Sequence, residues 1–114
     1  MERIEFIIPA YDRVYHLGCM LFALQAQSRK NWLANVVVDN TPTENITWIE
    51  NIFNADPRIR FTFLNKRFND WGHTPRNVGL ENASGEWVVM TGEDNYYVPS
   101  FVYNVSQAIT SGVN

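Results

Sequence analysis

The chain has 114 residues, of which 46% are hydrophobic and 18% charged, and its net charge is −3. This length suits one domain, and the composition can build a folded core, which excludes a disordered tail. The negative charge argues against a general surface for nucleic acids or anionic membranes. The chain has no apolar run of transmembrane length and no signal-peptide pattern, so we expect a cytoplasmic protein. The one cysteine, Cys19, lies in a helical apolar pattern, and we expect a buried structural thiol.

Apolar patterns of strand and helix type alternate along the whole chain. Strands are predicted at residues 4–8, stopped by Pro9, and at 33–38, 59–64 and 87–90. Helices are predicted at residues 14–27, from a Thr41-Pro42 cap to residue 55, from a Thr74-Pro75 cap to 83, and from 101 to 111. This alternation predicts a single α/β domain with an open, mostly parallel sheet flanked by helices. The fourth strand is a continuous apolar run, so we expect it to be buried on both faces.

Polar residues follow every predicted strand. Because the carboxyl ends of parallel strands lie at one edge of a sheet, these residues are expected to converge there. The set comprises Tyr11 with Asp12, Asp39 with Asn40, the polar loop from Asn65 to His73, and Glu93 with Asp94. Adjacent carboxylates are hard oxygen ligands suited to Mg²⁺ or Mn²⁺ and, through the metal, to a diphosphate. The alternative is that these residues only form soluble turns.

Three of these polar side chains have specific interpretations. Asp39 either caps a turn or accepts a hydrogen bond from a base or ribose. Arg76 lies in the first turn of a predicted helix, where a cation is unfavourable against the helix dipole. That position suggests a contact with a diphosphate or base, or an ion pair with a carboxylate. His73 beside it is either a site residue or an ordinary polar loop residue.

Four motifs in order resemble those of the family 2 glycosyltransferases of the GT-A type. Residues 7–13 read Ile-Ile-Pro-Ala-Tyr-Asp-Arg, and 38–42 read Val-Asp-Asn-Thr-Pro. Residues 72–80 read Gly-His-Thr-Pro-Arg-Asn-Val-Gly-Leu, and 83–86 read Ala-Ser-Gly-Glu. The fourth strand then ends in Gly92-Glu93-Asp94, where the family has an Asp-x-Asp metal motif. The resemblance covers nearly the whole chain.

The resemblance implies a Rossmann-like sheet that binds a nucleotide-diphosphate sugar and transfers the sugar to a glycan or other acceptor. Asp39 would read the base, and Asp94, with Glu93, would bind Mn²⁺ or Mg²⁺ bridging the phosphates. The implied donor-binding residues are Pro9, Ala10, Tyr11, Asp12, Asp39, Asn40, His73, Arg76, Glu93 and Asp94. The family also implies an inverting transfer, and uridine is the expected base, with guanosine and thymidine left open. No nucleic-acid partner is expected.

Several positions depart from the family pattern. Gly92 stands at the first acid of the metal motif, Asp12 replaces an asparagine, and Thr41-Pro42 replaces Gly-Ser. Family members continue into an acceptor-binding half that supplies the general base. We therefore expect residues 1–114 to be the donor-binding half of a longer enzyme, with the base outside this chain. A sheet lacking half of its fold would expose apolar surface, which favours homo-oligomerisation.

Two other classes of protein are alternatives to the donor-binding half of a glycosyltransferase. A phosphoacceptor receiver domain has similar size and alternation, but it needs an acceptor aspartate after the third strand and a lysine late in the chain. Here Asn65 follows that strand and no lysine follows Lys66, which disfavours a receiver. A catalytically incomplete nucleotide-sugar binder or protein-interaction domain on the same fold remains an alternative, and Gly92 favours it.

Overall fold

The computed structural model describes residues 2–11, 14–39, 43–64, 73–92 and 97–112. For residues 43–45 it describes the backbone only. Strands and helices alternate, as the sequence patterns predict. The elements are β1 (Ile4–Ala10), α1 (Val14–Gln25), β2 (Trp32–Val38), α2 (Thr43–Phe53), β3 (Ile59–Phe63), α3 (His73–Glu81), β4 (Trp87–Met90) and α4 (Phe101–Thr110). Within these ranges, no helix combines the length and apolarity that crossing a bilayer requires.

The four strands form one parallel sheet in the order β3-β2-β1-β4. Its register aligns Ile4 of β1 with Trp32 on one side and Trp87 on the other. The predicted mostly parallel α/β sheet is therefore confirmed. The central position of β1 explains why its residues other than Glu5 are apolar, because a strand with neighbours on both edges and helices on both faces is buried along its length.

The two faces of the sheet are covered differently. Ile4, Phe6 and Ile8 of β1 lie in the main core with buried side chains from α1, α2 and α4. The opposite face carries α3, which approaches β1 at Gly79. A Cβ atom at this glycine would lie 2.5 Å from the Ile7 Cγ2 atom, so only glycine permits this distance between helix and sheet. Gly79 thereby fixes how closely α3 lies against the sheet.

The prediction that Pro9 stops the first strand is wrong by two residues, since Pro9 and Ala10 pair in register with Val37 and Val38. The pairing of β1 with β4, in contrast, extends only to Ile7 and Met90, followed by a bond from the Thr91 N–H to the Ile7 carbonyl. The next bond in a parallel ladder would need an N–H at residue 9, and proline has none. Pro9 therefore ends the pairing on the β4 side only.

Two burial predictions are also wrong. The β4 side chains Trp87, Val88 and Met90 are 41%, 42% and 44% exposed, because β4 lies at the sheet edge and α3 packs on β1 and β2 instead. Cys19 is exposed rather than buried, because it lies between Tyr15 and Phe22 on the outward stripe of α1.

Helix boundaries differ from the predictions by one or two residues. Helix α1 ends at Gln25, and α3 begins at His73, one residue before the predicted cap at Thr74. The predicted Thr41-Pro42 cap of α2 lies outside the described residues.

Candidate functional site

The strand order creates a switch point at the carboxyl end of β1. From β1 the chain moves to β2 and then β3 on one side, and afterwards crosses to β4 on the other side. Connections that leave in opposite directions open a crevice between the carboxyl ends of two neighbouring strands, and ligands of open α/β sheets bind there. In this chain the strand ends that flank the switch point are Ala10-Tyr11 after β1 and Thr91-Gly92 after β4.

Asp39 lies at the same edge, directly after β2. Its backbone N–H donates to the Ala10 carbonyl oxygen at 2.8 Å, which holds it beside the end of β1. The residue is only 2% exposed. A carboxylate so placed can accept hydrogen bonds from the N–H groups of a base or from ribose hydroxyls.

The first turn of α3 also lies at this edge, because the helix follows β3 and runs back along the sheet. His73 is exposed there, and Arg76 is half-buried. The amino end of a helix carries a partial positive charge, and Arg76 adds a full one. The combination creates a local positive potential suited to an anionic group.

The predicted site residues divide into those the structure brings to this edge and those it does not describe. Pro9 and Ala10 are buried, Tyr11 is 38% exposed, and Asp39, His73 and Arg76 lie as given above. Asp12, Asn40, Glu93 and Asp94 lie outside the described residues. Among the described residues, no three His, Cys, Asp or Glu side chains form a metal-type group. The metal ligands predicted from the sequence, Glu93 and Asp94, are carboxylates, whose oxygens have the hardness that Mg²⁺ and Mn²⁺ favour.

Gln27, Thr91 and Tyr97 form a hydrogen-bonded group near the carboxyl end of β4, which the sequence patterns did not indicate. The Tyr97 hydroxyl donates to the Thr91 Oγ1 atom at 2.7 Å, and the Gln27 amide donates to the Val98 carbonyl at 2.7 Å. The sequence signal for Gln27 is only its position, just beyond the apolar stripe of α1. The Tyr97 ring packs between two phenylalanines, with its centroid 5.0 Å from that of Phe6 and 4.6 Å from that of Phe101.

A second polar group, equally unpredicted, joins α3 to the sheet. The buried Glu5 carboxylate accepts bonds from the Ser84 and Gly85 N–H groups at 2.8 Å each and from the Asn35 amide at 3.0 Å. The Asn35 amide also donates to the Gly79 carbonyl at 3.1 Å and to the Asn82 Oδ1 atom at 2.8 Å. The sequence offers one signal for this group, because Glu5 and Asn35 are polar residues within otherwise apolar strand patterns. Polar side chains buried in this way need hydrogen-bond partners.

A cavity of about 710 Å³ lies at the opposite, amino end of the sheet. It is lined by Glu2, Arg29, Glu86, Ser106, Gln107, Ile109 and Thr110. Its lining combines acidic, basic and neutral groups, so it presents no single charge to an anionic ligand. The topological switch point lies at the other end of the strands, and we therefore assign the functional site to the carboxyl edge.

Comparisons with known proteins agree with this fold. The chain is 26% identical over 112 residues to a GalNAc(5)-diNAcBac-PP-undecaprenol beta-1,3-glucosyltransferase of Campylobacter jejuni, covering 98% of this chain and 36% of that protein. It is 27% identical over 96 residues to an uncharacterized glycosyltransferase of Haemophilus influenzae, covering 84% of this chain and 38% of the relative. The chain thus spans little more than a third of the length of these relatives.

Solved GT-A structures share the fold. TarS of S. aureus, residues 1–349, in complex with UDP-GlcNAc superposes with a TM-score of 0.85 at 22% identity, over 96% of this chain and 31% of that one. The mannosyltransferase PcManGT of Pyrobaculum calidifontis, in complex with GDP-Man and Mn²⁺, gives a TM-score of 0.79 at 19% identity, over 93% of this chain and 32% of that one.

The family model described as "Glycosyl transferase family 2" matches residues 5–113, nearly the whole chain. It spans all four strands and the helices that cover them, and the chain belongs to glycosyl transferase family 2.

Proposed function

We propose that this chain binds the nucleotide-diphosphate sugar of a glycosyltransferase, in the crevice between the carboxyl ends of β1 and β4. The observation that carries the proposal is the buried Asp39 residue at the carboxyl edge of the sheet, beside the end of β1, which also borders the topological switch point. Family membership supports it. The complexes of TarS with UDP-GlcNAc and of PcManGT with GDP-Man show that two proteins of the same fold bind such donors.

Each residue has a role in this proposal. Asp39 accepts hydrogen bonds from the base, with uridine expected, while Pro9, Ala10, Tyr11, Asp12 and Asn40 surround the nucleoside. His73 and Arg76, at the positive end of α3, face the diphosphate. The charge of Arg76 offsets that of the phosphates, and its planar guanidinium matches two phosphate oxygens at once.

Glu93 and Asp94 are the residues that would hold Mn²⁺ or Mg²⁺. The ion, when bound, supplies Lewis-acid stabilisation of the leaving diphosphate. PcManGT with Mn²⁺ supports this assignment by analogy of fold. The transfer is proposed to be inverting, to a glycan or other acceptor, and we assign the general base to no residue of this chain. A cytoplasmic location stays a prediction.

Calorimetric titration with UDP, GDP and dTDP, with and without Mn²⁺, tests the proposal. We expect UDP binding that strengthens with Mn²⁺. Asp39→Ala removes the charged carboxylate that accepts a hydrogen bond from the base, and it should weaken UDP binding about tenfold or more. Asp94→Ala should abolish only the metal-dependent part. Glu86→Ala, an acid at the opposite edge of the sheet, is the matched control and should bind as the wild type does. The absence of binding for all three nucleotides would contradict the proposal.

A catalytically incomplete binder is the second candidate, favoured by Gly92 at the first position of the metal motif. It predicts the same UDP binding but no turnover. Hydrolysis of the UDP-sugar donor by the full-length polypeptide separates the two candidates. Release of UDP favours the enzyme, and unchanged donor favours the binder.

A further inference from the structure

Large apolar side chains are exposed on the outer side of α1 and α2. On α1, Tyr15 is 75% and Phe22 54% exposed, and Cys19 is exposed between them in the sequence. On α2, Trp48 is 39% and Ile52 48% exposed. We call these five residues the α1–α2 surface. Single exposed apolar residues are ordinary, whereas a contiguous apolar patch of several hundred Å² marks an interaction site.

Ring contacts between the two helices make the α1–α2 surface continuous. The Tyr15 and Trp48 rings lie 5.6 Å apart between centroids. Seven residues further along α1, the Phe22 ring lies 4.8 Å from that of Phe53, a buried residue of α2. The exposed side chains of α1 and α2 therefore belong to one patch rather than to two separate ones.

The size of the α1–α2 surface matches the apolar part of a stable dimer interface. Its exposed fractions correspond to roughly 450 Å² of apolar area, since a large aromatic side chain offers roughly 150–250 Å². A standard interface buries about 800 Å² on each partner, and somewhat more than half of that area is apolar. The α1–α2 surface and the polar residues around it are therefore large enough for such an interface.

The charges on the two helices favour a second copy of this chain over a membrane. The 12 residues of α1 include no Asp, Glu, Lys or Arg, and α2 contains no Lys or Arg. A helix that binds anionic lipids carries basic residues beside its apolar face. Two copies of α1, in contrast, can meet without like-charge repulsion and without burying an unpaired charge.

The order of the exposed side chains on α1 fits a two-fold axis. Tyr15, Cys19 and Phe22 recur at helical spacing, with the small residue between the two rings. In a two-fold interface, residue i of one copy contacts residue j of the other, and j contacts i. With the axis next to Cys19, Tyr15 of each copy would lie beside Phe22 of the other, and the small cysteine would let the two helices approach.

We infer that the α1–α2 surface is the interface of a two-fold homodimer, with Cys19 next to the axis. Tyr15 and Trp48 are expected to contribute most of the affinity, because aromatic residues in a desolvated interface dominate binding. None of the proposed donor-binding residues belongs to the α1–α2 surface, so the inference goes beyond the proposed function.

Tyr15→Glu is the sharpest variant. Tyr15 lies in the first turn of α1, where an acidic residue interacts favourably with the helix dipole, so we expect the variant to fold. In the dimer, the same substitution would bury an unpaired charge. Tyr103→Glu makes the identical change in the first turn of α4 and is the matched control. Val88→Ser tests the exposed apolar side chains of β4 as an alternative interface.

Sedimentation velocity at increasing protein concentration measures the dimer. We expect the wild type to dimerise with a Kd in the micromolar range. Tyr15→Glu should raise this Kd about tenfold or more, whereas Tyr103→Glu and Val88→Ser should stay within about twofold of the wild type. The full-length polypeptide should also dimerise and should lose affinity with Tyr15→Glu in the same way.

Cross-linking tests the position of the two-fold axis. Cys19 is the one cysteine of this chain, so a short bis-maleimide can join two copies only through it. The reagent should yield a covalent dimer of the wild type and of Tyr103→Glu, but not of Tyr15→Glu at the same concentration. A wild-type dimer that the reagent fails to join would overturn the placement of Cys19 next to the axis.

The remaining outcomes are equally distinct. A wild type that stays monomeric at millimolar concentration, as this chain or as the full-length polypeptide, overturns the inference. A dimer that Val88→Ser abolishes and Tyr15→Glu retains overturns it as well, because the interface would then lie at β4. Equal weakening by Tyr103→Glu, or a monomer that binds anionic lipid vesicles through Tyr15, also contradicts it. The absence of UDP binding by an intact dimer contradicts only the proposed function.

Discussion

Single residues at the amino end of the sheet stabilise the fold without contacting the site. Asp56 accepts bonds from the Arg58 side chain at 2.9 and 3.0 Å, from the Arg58 N–H at 3.0 Å and from Gln25 at 3.1 Å. Hydrogen bonding from the Arg58 side chain is the main cause that lowers the pKa of Asp56 from 3.8 to about 2. The Arg58 guanidinium also lies over the Trp32 ring, 4.2 Å from its centroid, which connects the group to the core.

This pKa shift predicts a specific dependence of stability on pH. A carboxyl whose pKa is lower in the folded state stabilises the fold fully above its unfolded pKa of 3.8, and this stabilisation is lost as the pH falls toward about 2. The free energy of unfolding of the wild type should therefore fall by about 1–2 kcal/mol more than that of Asp56→Asn between pH 5 and pH 2. Urea unfolding of both proteins at each pH measures the difference. Identical pH profiles would contradict the assigned pKa.

At the scale of elements, α3 is fixed to the sheet by close packing at one point and by a polar network. Gly79 allows the helix to approach Ile7, and Asn35 of β2 donates to the Gly79 carbonyl and to the Glu5 carboxylate of β1. Arg60 of β3 adds a half-exposed contact to Glu5 at 3.4 Å, which contributes little by itself. Since α3 carries His73 and Arg76, this network also determines where the proposed diphosphate contacts lie.

Replacement of Asn35 tests this network. Asn35→Leu leaves the buried Glu5 carboxylate and the Gly79 carbonyl each without one donor, so we expect a loss of about 2–4 kcal/mol in the free energy of unfolding. Asn51→Leu, at an exposed position of α2, is the control and should change stability by less than about 0.5 kcal/mol. Denaturant midpoints measure both. A midpoint for Asn35→Leu equal to that of the control would contradict the role of the network.

The order of the elements could be predicted from the sequence, whereas the partners of buried polar groups could not. The buried face of α1 follows from its pattern alone, because apolar residues recur there at helical spacing, at Leu17, Met20, Leu21 and Leu24. Gln27 lies directly beyond this stripe, but its partners at 97, 98 and 102 are about 70 residues away, and no local pattern encodes them. The exposure of β4 was missed for a related reason, because an apolar run does not reveal whether a strand is central or at an edge.

Across the whole molecule, the β4 edge of the face that carries α3 remains apolar and uncovered among the described residues. The register pairs Val88 with Glu5 and Met90 with Ile7, which places both β4 side chains on the face that carries α3. Leu80 of α3 is also exposed. The predicted exposure of apolar surface is thus present in the described residues, while homo-oligomerisation itself stays a prediction.

We propose that the carboxyl edge of the sheet, not the cavity at its amino edge, binds the nucleoside diphosphate. A titration of isotope-labelled protein with UDP and Mg²⁺, followed by amide chemical shifts, distinguishes the two ends of the sheet. We expect the largest shifts at Ala10, Asp39 and Thr91, with Glu2, Arg29 and Ser106 unchanged. Shifts confined to the residues of the amino-edge cavity, or no shifts at any UDP concentration, would contradict it.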